Sequence, residues 1–349
     1  MEFLPTTLGT RPRLAIEIGA EGVAAARAED ASALLMAVAR GKLAAGAVLP
    51  GLKAGNVEDR AAVVAAVRSA LDGVVSRTGE RGRDVTVVVP DGAARVLLLD
   101  FDSLPSKLAE ALPVVRFRLK KLLPFDSDDA AVSYQVMSSA KSGMQVLVVA
   151  MPREVLAEYE GVVTAAGYLP GAVLPSTLAA LAGLEESESG VLVVNAGLGQ
   201  VTTAIVKGGV LLLHRTMDIS ADTVAPALVA AAAAAHGEYG HYEAETAMES
   251  AEIERVAESR AAVSIVGHEV AQAVSVAAAY FEDTLTSAPQ SLLAAGTTGA
   301  ETLQRMLMES GLEGLRVKEL VEPGMMDAGA VSSSVPRGWL AGVRGALKG

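Results

Sequence analysis

The residues best placed for chemistry lie in glycine turns, and the densest stretch is 191–215, VLVVNAGLGQVTTAIVKGGVLLLHR. Three short apolar, β-branched runs, 191–194, 201–206 and 210–213, are joined by turns holding Gly197 and Gly199, then Gly208 and Gly209. Glycine there serves a residue with positive φ, or a backbone that approaches a ligand closely. A plain antiparallel meander accounts for the pattern by itself. A second copy argues for more. Residues 14–19, LAIEIG, end an apolar strand as Glu17-Ile18-Gly19, and Asn195-Ala196-Gly197 ends its strand the same way with an amide for the acid. The two lie about half a chain apart, which suggests a duplicated unit. A third glycine loop, Gly296-Thr297-Thr298-Gly299, follows the apolar run 291–295.

The remaining reactive groups are spaced for less. There is no Gly-Lys-Ser/Thr phosphate loop and no G-x-S-x-G elbow. Of the four histidines, His214, His236, His241 and His268, the middle pair is off the i,i+4 spacing that binds metal on a helix. Glu243, Glu245, Glu249, Glu252, Glu254 and Glu258 read as the solvated face of a long helix, not as paired acid and base. Arg116, Arg118, Lys120 and Lys121 form the one basic run. It is either an exposed helix edge or a contact for an acidic partner or anionic headgroups.

Composition narrows the classes further. The 349 residues are enough for two domains, and they are 51% hydrophobic but only 3% aromatic, so alanine, valine and leucine must fill the core. No apolar run is long enough to span a bilayer, and the N-terminal MEFLPTTLGTRPR has no apolar signal core. The absence of cysteine excludes disulfides, thiolate metal sites and cysteine nucleophiles, and suits a reducing cytosol. A net charge of −12 argues against a nucleic-acid-binding face.

The elements that must position these groups follow in order. After the first strand, 23–27 and 33–38 are strand candidates, and 58–75 has apolar residues at helical spacing with acids in its first turn. Strands are expected at 86–89 and 96–99, with Pro90-Asp91-Gly92 a turn between them. Ser106 caps a helix with Leu108, Leu112, Val115, Leu119 and Leu122 on one stripe, and Pro113 should kink or restart it. Residues 132–137 and 145–150 form a hairpin, 152–166 and 175–184 are helices, and 185–190 is a linker. Beyond the meander come helices at 221–236 and 243–282, with Gly267 a place where the second can split. A strand at 291–295, a helix at 301–310, an irregular tail from Glu322 and a terminal helix at 339–347 complete the chain. Meanders alternating with helices argue for α/β domains with mixed sheets.

Three places resemble the loops of the actin-like ATPase superfamily. Ile16-Glu17-Ile18-Gly19 and Val194-Asn195-Ala196-Gly197 match its phosphate loops, and Leu293-Ala294-Ala295-Gly296-Thr297 its adenosine loop. Leu123-Pro124-Phe125 followed by Val132-Ser133-Tyr134-Gln135, then Val146–Ala150 (VLVVA) and Ala165–Pro170 (AAGYLP), add a resemblance to the PilM family of type IV pilus assembly proteins. That family is related to FtsA and to the cytoplasmic part of GspL. The resemblance runs from about Leu14 to the terminal helix. It implies an α/β actin-like ATPase fold with two ribonuclease-H-like domains and mixed sheets. The first domain would hold 1–83 and 151–189, a small inserted α/β subdomain 84–150, the second domain 190–330, and a C-terminal tail and helix 331–349.

The resemblance also implies where a nucleotide would sit, and the residues there are degenerate. Two aspartates hold magnesium through waters in the superfamily. Here Glu17 and Asn195 stand in their place, one a methylene longer and one uncharged. The serines and lysine after the first loop match Ala20, Glu21, Gly22 and Ala24, the second loop's hydroxyl matches Gln200, and the first adenosine-loop glycine is Ala295. Gly296 of the adenosine loop remains, and backbone amides around Gly19, Gly197 and Gly199 can still form an anion nest. The expectation is a non-enzymatic scaffold with no obligatory cofactor, ATP and magnesium being doubtful. A working ATP-dependent switch of the same assembly is the alternative, and a small-molecule kinase lacks a supported catalytic carboxylate. By the resemblance, the chain is cytoplasmic and peripheral to the inner membrane through a partner. The partner is the N-terminal tail of a PilN-like membrane protein, with other pilus platform proteins nearby and no nucleic acid. The tail would enter a groove beside the inserted subdomain, with Arg116, Arg118, Lys120 and Lys121 steering it.

Overall fold

In the computed structural model the two apolar–glycine strands open two separate sheets of the same design. The structure describes residues 12–79, 82–140, 143–185, 187–219, 247–327, 329 and 335–348, and of 247–265 only the backbone. From the N-terminus, β1 (Leu14–Gly19), β2 (Gly22–Ala28) and β3 (Leu35–Lys42) make an antiparallel meander. Helix α1 (Arg60–Thr78) covers it, and β4 (Asp84–Val89) returns parallel to β1. A three-stranded antiparallel sheet follows, made of β5 (Arg95–Phe101), β6 (Ala130–Ala140) and β7 (Gly143–Pro152), with β7 central and helix α2 (Leu108–Leu119) against it. Helix α3 (Arg153–Ala165) leads to β8 (Leu169–Pro175), parallel to β4, and α4 (Ser176–Ala182) leaves the first half.

The second half repeats the plan. Its meander is β9 (Val191–Gly197), β10 (Gln200–Lys207) and β11 (Val210–Asp218). The long α5 (Ala247–Leu285) precedes β12 (Ser291–Ala295), which is parallel to β9, and α6 (Gly299–Glu309) and β13 (Arg316–Glu319) follow. A 3-10 turn, Arg337–Leu340, starts α7 (Ala341–Leu347). The sheet orders, β3-β2-β1-β4-β8 and β11-β10-β9-β12-β13, match position for position. The hairpin registers match too. Gly19 faces Gly22 and Glu17 faces Ala24, as Gly197 faces Gln200 and Asn195 faces Thr202. The expected duplication is therefore present as two sheets and not as one continuous sheet.

Small residues set the layer spacing. Every residue of β2, GVAAARA, is buried, because α1 covers one face of the first sheet and α7 packs on the other. Val63, Val67, Leu71 and Val74 of α1 are fully buried, each worth about 2 kcal/mol. Asp59 caps α1 by accepting from the Ala62 amide at 2.9 Å, and Gly79 ends it at φ 71°. Helix α7 packs on α4 so tightly that a Cβ on Gly345 would lie 1.8 Å from the Ala179 carbonyl oxygen.

Several expectations change. Strand β4 belongs to the first sheet, between β1 and β8, so the boundary placed at residue 84 gives the inserted subdomain one strand too many. The helix in the expected tail 331–349 is part of the first domain's core. Strands β8 and β13 lie where none was expected. Strand β8 carries Pro170 and Pro175, and it is a sheet edge, where proline's missing N–H is tolerated. Helix α2 passes through Pro113 as one element, and its inward line is Ala111, Val115 and Leu119. Leu108 and Leu122, expected on that line, are exposed, and Ser106 does not cap the helix. Gly267 does not split α5. The helix expected at 221–236, with His236, His241, Glu243 and Glu245, lies outside the described residues, as do the side chains of Glu249, Glu252, Glu254 and Glu258.

Candidate functional site

The two phosphate-loop-like hairpins face each other across the cleft between the domains, and side chains of the protein join them. Glu21, at the tip of the first hairpin, reaches across, where its Oε2 accepts from the Leu198 amide at 3.2 Å and from the Thr297 hydroxyl. Gln200, just past the tip of the second, reaches back. Its Oε1 accepts from the Gly92 amide at 2.9 Å while its Nε2 donates to Asp218 at 3.0 Å. A Cβ on Gly92 would sit 2.5 Å from that Nε2, so only glycine admits the approach.

Behind this bridge lies a polar chain. Asn195 Nδ2 donates to Ser176 Oγ at 2.9 Å and to Thr177 Oγ1 at 3.0 Å. Ser176 Oγ donates to Glu17 Oε1 at 2.5 Å. Thr177 donates its amide to Asp91 Oδ1 at 3.0 Å and its hydroxyl to Asp91 Oδ2 at 2.5 Å. The Glu17 carboxylate is held under α7, where a Cβ on Gly342 would meet it at 2.4 Å. Burial pushes the Glu17 pKa up from 4.5 to about 7; the Asp91 charge adds to the rise and the Ser176 hydrogen bond opposes it. Across the cleft, burial holds His214 of β11 below the ordinary histidine range, against the pull of Asp91, and its Nε2 has no hydrogen-bond partner among the described residues.

These partners decide the fit of a magnesium nucleotide. The cavity left between the hairpins has a volume of about 80 Å³, against several hundred for an ordinary small-molecule site. The Leu198 amide, part of the expected anion nest, is already bonded to a carboxylate. Gly296, at φ 87°, donates its amide to the Gly338 carbonyl at 2.9 Å, and the side-chain Oδ1 of Asn195 sits 2.5 Å from where its Cβ would be. The residues present do not fit magnesium and a nucleotide in this arrangement.

The structure brings Glu17, Gly19, Asn195, Gly197 and Gly296 to one cavity; Gly199, at φ 77°, makes the turn beside it. Sequence reasoning missed Asp91, Ser176 and Thr177. Asp91 lay in a Pro-Asp-Gly turn after an apolar strand, and its 5% exposure was the missing signal. The hydroxyl pair stood at a helix start, where capping explains Ser and Thr equally well.

A second concave feature lies between the first domain and the inserted sheet. It is a groove of about 230 Å³ with apolar walls that include Val132, Val149, Leu156 and Val173, and with Glu160 at its side. Two of the strands that line it, β6 and β8, are edge strands of their sheets among the described residues. The basic run divides. Arg116 donates to the Ser127 carbonyl and, at 3.0 Å, to the Ala130 carbonyl, which ties α2 to the subdomain. Lys120 pairs with Asp128 at 3.1 Å. Arg118 and Lys121 stay exposed.

No protein-family model and no curated protein matches the sequence. Solved structures do. A chain of the PilM–PilN type IV pilus biogenesis complex aligns with 96% of this chain and 98% of its own length, at TM-score 0.72 and 19% identity. The ethanolamine utilization protein EutJ of Carboxydothermus hydrogenoformans aligns with 98% of this chain and 92% of its own, at TM-score 0.51 and 15% identity. The chain has the actin-like ATPase fold, as the resemblance implied.

Proposed function

We propose that this chain is a PilM-type assembly scaffold that holds the extended, apolar N-terminal tail of a PilN-like inner-membrane protein, with a cleft that no longer serves a nucleotide. The supporting observation is the groove between β6 and β8. Two strands that are sheet edges among the described residues line it, and its walls are apolar, a setting that suits strand addition, with main-chain hydrogen bonds for affinity and pockets for alternate side chains. A fold similar over nearly its whole length to a chain of the PilM–PilN complex supports the choice of partner. Among the described residues no helix is long and apolar enough to cross a membrane. This reading places the chain at the cytoplasmic side of the inner membrane, beside other pilus or secretion platform proteins.

The test is fluorescence anisotropy with a labelled tail peptide. Deleting the inserted subdomain is a poor control, because its Leu147, Val96 and Leu98 pack in one cluster with Leu211 of β11 and would leave that surface bare. Ala131→Trp, which fills the groove from β6, is the better one. Affinity is expected to fall by about tenfold or more. Undiminished binding would refute the groove, and no binding by the intact protein would refute the partner.

A further inference from the structure

We infer that the outer face of α2 is a second attachment surface, one that lies on an anionic bilayer. The inference rests on the partner reading above, which is what brings the chain to a membrane. Val114, Phe117 and Arg118 stand at i, i+3 and i+4 and so share one side of the helix, and the exposed Lys121 lies in the turn just past its C-terminal end. Phe117 keeps 76% of its surface open, more than any other large apolar side chain among the described residues, in a chain that is only 3% aromatic. Val114 beside it is also exposed.

The charges on this side point the same way. Arg116 and Lys120 are bonded within the subdomain, whereas Arg118 and Lys121 make no ion pair or hydrogen bond among the described residues. The acid on this helix, Glu110, is paired with Lys107 at 3.5 Å. A chain of net charge −12 thus presents one small face that is aromatic and cationic. Such a face suits a bilayer interface, where the ring enters the headgroup layer and the cations meet anionic lipid. A helix-binding groove on a protein would instead call for apolar anchors on successive turns, and here the apolar pair gives way to charge.

Placement links this face to the groove. Arg116 ties α2 to the carbonyls of Ser127 and Ala130, and the next residue, Ala131, lines the groove. A tail leaving the groove at that end emerges beside α2. A weak surface contact and a held tail then reinforce each other, since the tail raises the effective concentration of the face at the membrane.

Phe117→Trp supplies the probe, with the buried Trp339 as a constant background. The protein is titrated with vesicles of phosphatidylcholine alone or with about 40% phosphatidylglycerol. A blue-shifted emission and about threefold more protein floating with the anionic vesicles are expected, both lost in about 0.5 M salt. Arg118→Glu with Lys121→Glu should bring flotation down to the phosphatidylcholine level. Equal partition on both vesicles, or a charge-reversed protein that floats as well as its parent, would overturn the inference. Tail-peptide anisotropy on the parent protein, beside its own vesicle titration, separates the two readings. Peptide binding without vesicle binding removes only the bilayer face, and vesicle binding without peptide binding removes only the groove.

Discussion

The two cleft hairpins share a register and differ in where they place their strained residue. In the first, Gly19-Ala20-Glu21-Gly22, the positive φ falls on Gly22, at 151°, and a Cβ there would lie 2.2 Å from the Gly41 carbonyl oxygen. In the second, Gly197-Leu198-Gly199-Gln200, it falls on Gly199, at 77°, with open space around it. That one-residue difference decides which position can carry a side chain. The first turn frees position 21 for a carboxylate and closes position 22; the second closes 199 and frees 200 for an amide. Each hairpin then reaches the opposite domain from a different place, Glu21 to Leu198 and Thr297, and Gln200 to Gly92. Duplicated backbones have become a complementary pair, bridged by the protein's own polar groups.

The largest test of this asymmetry is substitution at its two glycines. Gly22→Ala must relieve both a contact with Gly41 and a disfavoured φ, at a cost of about 3 kcal/mol or more. Gly199→Ala meets only the φ cost, about 1 kcal/mol. Urea unfolding midpoints compare them directly. Equal losses would mean that the two turns are not differently constrained.

A second test sets Glu17 against its counterpart Asn195. Because burial raises the Glu17 pKa to about 7, the folded state holds a proton that the unfolded chain has released between pH 4.5 and 7. Stability therefore falls as pH rises through that window, by about 3 kcal/mol at most. Glu17→Gln should flatten the slope and exceed the parent's stability at pH 8. Asn195→Asp should steepen it, since a new carboxylate would face Asp91, Ser176 and Thr177. Denaturant titrations at pH 5 and 8 decide; parallel pH profiles for parent and Glu17→Gln would show that the buried carboxyl is not the source.

Much of this fold was legible because glycine after an apolar strand is a backbone statement, and the backbone is what the two halves share. Leu14–Gly19 and Ser291–Ala295 fall where the sequence placed them. What was illegible depends on contacts across the fold. Proline and glycine in β8 mark a turn or a sheet edge equally well, and only β4 beside it settles which. Arg116 and Arg118 are two residues apart and look alike in sequence. Helix rotation sends one to backbone carbonyls and the other to solvent. In the cleft, Glu21 stood in the sequence only at one of the family's serine and lysine positions. Its role as the acceptor for Leu198 and Thr297 appears only once the second domain is in place.

The smallest expected effect tests which bridge stands in for a ligand. Glu21→Ala leaves the Leu198 amide and the Thr297 hydroxyl without their acceptor, costing about 1–2 kcal/mol. Gln200→Ala removes a neutral amide from Gly92 and should cost about 1 kcal/mol. Their ligand behaviour should differ more than their stability. Calorimetry of the parent with ATP and magnesium, or with pyrophosphate, is expected to show weak or no binding. Removing Glu21 vacates donors that face an anion, so pyrophosphate affinity should rise by about tenfold in Glu21→Ala. Gln200→Ala should leave it at the parent's level, because the Gly92 amide lies on the other side of the bridge. Sub-micromolar nucleotide binding by the parent would show that the cleft opens to admit it. Equal gains in both variants would mean that loosening the domains, and not removing the carboxylate, is what admits an anion.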